Sequence, residues 1–197
     1  MATPVDVTVY FNFRSPYCYL ASKTMFDLFD RFHARLVFKP LGGWDGRSAP
    51  DRVKRKITMV RQDVGRFARR LGIAFNPPPV TTDPTRAGLI SLRAEALGCL
   101  RSYIVETMRA EWAEGQDIGD LDVLRAVCGR VGLPWEAAEA ALADPQAAAT
   151  LERNWHEAEA RGVFGVPTFI VGEDIFWGQD RLDFVAEHLR DLRLARL

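Results

Sequence analysis

The first apolar run of the chain, Val5 to Phe13, mixes β-branched and aromatic residues with little charge, which predicts a buried strand rather than an amphipathic helix. It breaks at Arg14-Ser15-Pro16. From Tyr17 to Phe32 the apolar positions recur at helical spacing, through Leu20, Ala21, Met25, Leu28 and Phe29. That pattern makes Ser15 an N-cap and Pro16 the first helical residue. A second strand, Arg35 to Lys39, stops at Pro40 and completes a strand, helix, strand unit.

The chain then changes character. From about Pro50 to Gly162 it is rich in Ala, Arg, Leu and Glu, interrupted by Asn76-Pro77-Pro78-Pro79 and Thr82-Asp83-Pro84, which predicts a block of four to six helices. Asp144 and Pro145 start one of them, Gly162 closes it, and Pro134 opens the shorter one before it. Strands return at Thr168 to Val171 and Ile175 to Trp177, with a turn at Gly172-Glu173-Asp174, and a last amphipathic helix runs from Asp180 through Leu182, Phe184, Val185, Leu189 and Leu192. This order is that of an α/β thioredoxin-like fold with an inserted all-helical domain. Residues 1–43 and 163–197 are expected to form the thioredoxin-like part and 44–162 the insertion.

Charge narrows the partners. Among 197 residues, 26 basic side chains are cancelled by 26 acidic ones, so a concentrated positive face for nucleic acid is not expected. No stretch reaches the roughly 20 apolar residues of a membrane span, and Met1 to Asp6 lacks the basic region of a secretory signal, which points to the cytoplasm. Cys18, Cys99 and Cys128 form neither a C-x-x-C pair nor a metal-ligand cluster and read as reduced thiols. His33, His156 and His188 are equally scattered, so no metal is expected.

Three stretches carry a family resemblance: Phe11-Asn12-Phe13-Arg14-Ser15-Pro16-Tyr17-Cys18-Tyr19-Leu20-Ala21, Trp112-Ala113-Glu114-Gly115-Gln116-Asp117-Ile118-Gly119, and Gly162-Val163-Phe164-Gly165-Val166-Pro167-Thr168-Phe169 running on to Phe176-Trp177-Gly178-Gln179-Asp180-Arg181-Leu182. Together they resemble the 2-hydroxychromene-2-carboxylate isomerase family, relatives of kappa-class glutathione transferases and of the DsbA-like disulfide oxidases. In the oxidases the turn after the first strand carries C-P-x-C, with its thiolate at a helix tip that lowers the thiol's pKa. Here the turn reads Ser15-Pro16-Tyr17-Cys18. A serine hydroxyl is no comparable nucleophile near neutral pH, so what survives is an anion-binding turn with an O–H donor.

The resemblance implies that glutathione supplies the missing thiolate, stabilised by Ser15, and that Val166-Pro167 is a cis-proline loop facing that turn, with Val166 pairing the cysteinyl backbone. It further implies Gln179 and Asp180 at the γ-glutamyl end and Lys56 at the glycyl carboxylate. Arg14, Tyr17, Trp44 and Trp177 are the expected contacts to an aromatic substrate, with Trp112 a further aromatic that either lines the pocket or fills core. Taken alone, each feature has a plain structural reading too: Ser15 as a cap, Pro167 as the start of an edge strand, Asp180 with Asp183 as the cap of the last helix, and Lys56 as part of a solvated basic run with Arg52, Lys54, Arg55 and Arg61. Asn12 stands where these isomerases commonly have an acid, and Cys18 holds the old resolving position.

The activity implied is glutathione-dependent cis-trans isomerisation of an aromatic keto-acid: addition of the thiolate, rotation about the bond made single, and elimination. The family habit suggests a homodimer. Three other readings share the scaffold: a kappa-type conjugating transferase or peroxidase, a thiol oxidoreductase using Cys18, and a binding module without turnover.

Overall fold

In the computed structural model, which describes residues 3–43 and 50–196, four strands form one sheet: β1 (Val5–Phe11), β2 (Ala34–Pro40), β3 (Thr168–Val171) and β4 (Asp174–Trp177), in the order β2-β1-β3-β4. β1 runs parallel to β2 and antiparallel to β3, and β4 closes the hairpin expected from Gly172-Glu173, beginning one residue earlier than the pattern suggested. β1 likewise ends two residues early. Asn12 and Phe13 leave the sheet because Asn12 turns its side chain back onto the chain.

The helix expected over Tyr17 to Phe32 is two short ones, α1 (Pro16–Ala21) and α2 (Asp27–Arg31). Ser22 Oγ donates to the Tyr19 carbonyl at 2.7 Å, and the next amides, Lys23 and Thr24, close onto carbonyls three residues back instead of four. A side chain competing for the ladder and a run of tightened turns end the helix, although the apolar spacing continues across the break.

Between β2 and β3 lie α3 (Pro50–Leu71), α4 (Thr85–Ala96), α5 (Leu100–Met108), α6 (Leu121–Val131), α7 (Trp135–Ala143) and α8 (Pro145–Ala160), six helices among the described residues. α5 passes directly into a π-helical turn, Arg109–Ala113. Asp144 caps α8 by accepting from the Gln146 amide, and Gly162 takes the left-handed conformation that ends it, as the sequence indicates. After β4 a 3₁₀ turn, Gln179–Arg181, leads into α9 (Leu182–Asp191), whose buried side is Val185, Ala186 and Leu189; Phe184 and Leu192 face outward.

One hydrophobic cluster joins sheet and helices. Phe11 meets Phe13 at 5.3 Å between ring centroids, Phe13 meets Tyr103 of α5 at 5.9 Å, both edge to face, and Val9, Ile104 and Met108 belong to the same buried set. The turn that follows β1 is therefore anchored from both sides.

Candidate active site

Asn12 builds the turn. Its Oδ1 accepts from the Arg14 amide at 2.8 Å, while Nδ2 donates to the Leu41 carbonyl at 2.9 Å and to Gly43 at 3.5 Å. An amide serves where an acid does in the resembling isomerases, and it can do what a carboxylate cannot, namely donate to the chain after β2. Ser15 then sits at the N-cap in extended conformation, its amide bonded to the Asn12 carbonyl at 3.0 Å.

The Ser15 hydroxyl makes two bonds. Oγ accepts from the Cys18 amide at 3.3 Å and donates to the Val166 carbonyl at 3.2 Å. The Val166-Pro167 peptide is cis, as the resemblance implies, and faces the Ser15 turn. α1 has only six residues, so its aligned peptides add less to this end than the long helix expected from the spacing.

A groove of about 220 Å³ opens beside Val166, between Tyr17, Asp63 and Phe67 on one side and Trp177, Gly178, Gln179, Asp180 and Arg181 on the other. A second hollow of about 520 Å³ adjoins it, sharing Tyr17 and Asp63 and extending along α3 past Val60, Met59 and Lys56. At the junction Tyr17 donates its phenol proton to Asp63 Oδ2 at 2.8 Å, and burial together with that carboxylate pushes the phenol up to about 12. Tyr17 is thus a fixed neutral donor.

Of the residues expected here, the fold brings Tyr17, Lys56, Val166, Trp177, Gln179 and Asp180 to the two connected hollows; Ser15 and Pro167 line neither, and Ser15 reaches the smaller groove only through its bond to the carbonyl of Val166, which lines it. Trp177 is 52% exposed and lies against Phe164, with ring centroids 4.5 Å apart. Its indole also covers Gly165, where an added Cβ would come within 2.5 Å of Nε1, so the aromatic wall depends on a glycine.

One expectation needs correction, and two alternatives that the sequence leaves open are decided. Arg14 lines neither hollow: Nε and Nη2 donate to the carbonyls of Thr82 and Val80 at 3.0 and 2.8 Å, and the guanidinium lies over the Trp112 ring. Carbonyl oxygens and an aromatic face draw it away from the groove. Trp112 is core, its indole N–H given to the Phe13 carbonyl at 3.2 Å and its ring stacked on Phe75. Asp180 caps no helix; it pairs with Arg181 at 2.7 Å, and neither the 3₁₀ turn nor α9 has a side-chain cap. Trp44 lies outside the described residues.

Cys18 is fully buried, and loss of hydration pushes its thiol up to about 12. Such a sulfur is neither reachable nor ionised at neutral pH. Sequence reasoning gave no site role to Met59, Val60, Gln62, Asp63, Arg66 and Phe67 of α3, or to Gly178 and Arg181. Most of the α3 set was visible, since Lys56, Met59, Val60, Asp63, Arg66 and Phe67 follow helical spacing along one stripe.

Residues 6–190 match the family model of the DsbA-like thioredoxin domain. The chain is 28% identical over 192 residues to 2-hydroxychromene-2-carboxylate isomerase of Sphingobium xenophagum, covering 94% of this chain and 98% of that one. It is 29% identical over 187 residues to the enzyme of the same name from Pseudomonas putida, covering 89% and 90%. Among solved structures, a selenomethionine 2-hydroxychromene-2-carboxylate isomerase superposes with a TM-score of 0.79 at 26% identity, covering 95% of each chain. Among the described residues no helix is long and apolar enough to cross a membrane.

Proposed function

Because the chain belongs to the DsbA-like thioredoxin domain family, and its turn carries a serine where the family's oxidases carry the attacking cysteine, we propose that it is a glutathione-dependent isomerase of 2-hydroxychromene-2-carboxylate or a related aromatic keto-acid. The observation that carries the reading is the Ser15 hydroxyl bonded to the Val166 carbonyl at the wall of an open groove, with the chain's own nearby thiol buried and protonated. Relatives named as isomerases of that substrate support the same reaction class.

The residues present fit the tripeptide. Lys56 would hold the glycyl carboxylate, Val166 the cysteinyl backbone, and Gln179 and Asp180 the γ-glutamyl end. The exposed Asp180–Arg181 pair is no obstacle, since such pairs contribute about 0 to 1 kcal/mol and exchange readily. Bound there, glutathione supplies the nucleophilic sulfur for reversible addition to a conjugated ketone.

Ser15 acts through its proton. The Cys18 amide already donates to Oγ, which polarises the O–H, and the O–H can turn from the Val166 carbonyl toward an anion in the groove. Two units of thiol pKa depression correspond to about 2.7 kcal/mol. One charge-assisted hydrogen bond, about 1.5 to 3 kcal/mol, is of that size. Trp177 lines the groove where a planar ring can lie against it, and the Tyr17 phenol, its O–H donated to Asp63, stays neutral at the junction of the two hollows.

The test is turnover of 2-hydroxychromene-2-carboxylate with and without glutathione. The reading predicts turnover that requires glutathione and returns it unconsumed, and a loss of about 10² on Ser15→Ala, the usual cost of removing one preorganised donor. Turnover without glutathione, or Ser15→Ala as fast as wild type, contradicts it. Stoichiometric loss of glutathione identifies a conjugating transferase on the same site.

A further inference from the structure

A keto-acid brings its own carboxylate to a site that also takes those of glutathione, and Arg14, which the sequence suggested for it, lines neither hollow. A carboxylate that leaves water needs a cation and hydrogen-bond donors in exchange. Among the described residues, three cations line the two hollows: Lys56, Arg66 and Arg181. Arg181 is paired with Asp180 at 2.7 Å, at the γ-glutamyl end, and Lys56 stands at the glycyl end in the reading above. Arg66 faces Asp63 Oδ1 at 4.0 Å, well beyond the about 2.7 to 2.9 Å of a charge-assisted hydrogen bond, while Oδ2 of the same carboxylate is taken by Tyr17 at 2.8 Å. The Arg66 guanidinium is thus open to a further anion.

Position distinguishes Arg66 from Lys56. Tyr17 and Asp63 line both hollows and mark their junction. Arg66 follows Asp63 by three residues, less than one helical turn, and Phe67, next to it, lines the smaller groove. Lys56 precedes Asp63 by seven residues, about 10 Å along the helix axis, with Met59 and Val60 lining the hollow between them. In a conjugated keto-acid the carboxylate is attached to the ketone, only a few bonds from the carbon that accepts the thiolate. The cation that holds it must stand close to the Val166 groove, at the junction. Gln62, four residues before Arg66 and lining the same hollow, offers an amide donor to the same anion. The guanidinium itself presents a planar fork that both oxygens of a carboxylate can meet.

We propose that Arg66 binds the carboxylate of the second substrate, with Gln62 beside it, and so selects aromatic acids over their uncharged analogues. The proposal rests on the glutathione reading, which assigns Lys56 to the tripeptide. With a ring against Trp177 in the smaller groove, the acid end of the substrate lies at the junction, and Met59 and Val60 separate it from the glycyl carboxylate at Lys56.

Calorimetry tests this without turnover. 2-Naphthoate, a planar aromatic acid, and 2-naphthamide, its uncharged counterpart, are titrated into glutathione-saturated wild type, Arg66→Gln, Arg66→Lys and Lys56→Gln, and glutathione is titrated into each protein alone. Wild type is expected to prefer naphthoate to naphthamide. Arg66→Gln should weaken naphthoate by about tenfold, the size of one hydrogen bond to a charged group, while naphthamide and glutathione bind it as they bind wild type. Arg66→Lys, which keeps the charge and loses the fork, should fall between the two. Lys56→Gln should weaken glutathione and, once saturated with it, hold naphthoate as wild type does. Equal binding of the two naphthalene ligands to wild type, unchanged naphthoate affinity in Arg66→Gln, a loss that naphthamide shares, or a loss of glutathione affinity in its place overturns the proposal and leaves the glutathione reading intact. Naphthoate affinity lost in Lys56→Gln and kept in Arg66→Gln gives the acid to Lys56 and overturns it too. No binding of glutathione to wild type sinks both. The Arg66 side chain is 64% exposed, so its variants should fold, and Arg66→Lys carries the comparison if Arg66→Gln does not.

Discussion

Glu111, in the π-helical turn Arg109–Ala113, has no exposed surface, and this burial links folding to pH with a sign that follows from which state binds the proton. The folded acid has a pKa raised above the unfolded value, so the folded chain binds the proton more tightly. Stability from this residue is complete below the unfolded pKa and falls as pH rises above it, by about 1.4 kcal/mol per unit, until the folded carboxyl itself ionises. Glu111→Gln removes that slope. Denaturant titrations at mildly acidic and neutral pH should show the variant gaining on wild type with each pH step, and a constant difference would mean that the acid is already ionised in the folded state. Nothing in the sequence singles out Glu111, because its burial comes from packing of the π turn against residues about a hundred positions away. Ser15 was legible for the opposite reason: Ser-Pro ahead of an apolar helical pattern specifies a cap locally. The plain alternative for Asp180, a helix cap, does not hold, since the chain enters α9 through a 3₁₀ turn that the pattern does not reveal.

Asn12 is a principal tie of the turn between β1 and α1. Asn12 is buried and bonded to three backbone groups, from Arg14, Leu41 and Gly43, so it ties the end of β1 to the segment after β2. Asn12→Ala leaves an amide and carbonyls without partners, at about 1 to 3 kcal/mol for such a group. Thermal melting of the variant should fall accordingly, and turnover should fall with it because Ser15 is no longer held against Val166. A variant with wild-type melting temperature and activity would show that the sheet positions the turn unaided. Strands, the hairpin and the caps of α8 were legible from local chemistry. The division of Tyr17 to Phe32 into two helices was not, since apolar spacing persists across the break and Ser22 bonding back to Tyr19 decides it. Along α3, spacing alone marks the stripe from Lys56 to Phe67, but only the tertiary fold shows that Tyr17 meets it through Asp63.

At the scale of the molecule, the sheet and the helices that follow β2 share a core, and the rings of Phe11, Phe13 and Tyr103 cross between them. Phe13→Ala should cost about 3 to 5 kcal/mol. Because the cluster is shared, amides of β1 and of α5 should lose exchange protection together, and protection lost from the sheet alone would show that the helices fold independently. The element order made this architecture readable in advance; the groove was not, because it arises where α3, the Val166-Pro167 loop and the 3₁₀ turn converge. What the fold offers there is a hydroxyl in the place of a reactive thiol, and the account stands on that hydroxyl holding a thiolate brought from outside. The most direct measurement is the ultraviolet absorbance of glutathione thiolate at neutral pH on adding the protein. Wild type is predicted to raise the thiolate signal above that of free glutathione, and Ser15→Ala to bind the tripeptide without raising it. An equal signal from both proteins, or none from wild type at saturation, would contradict the account.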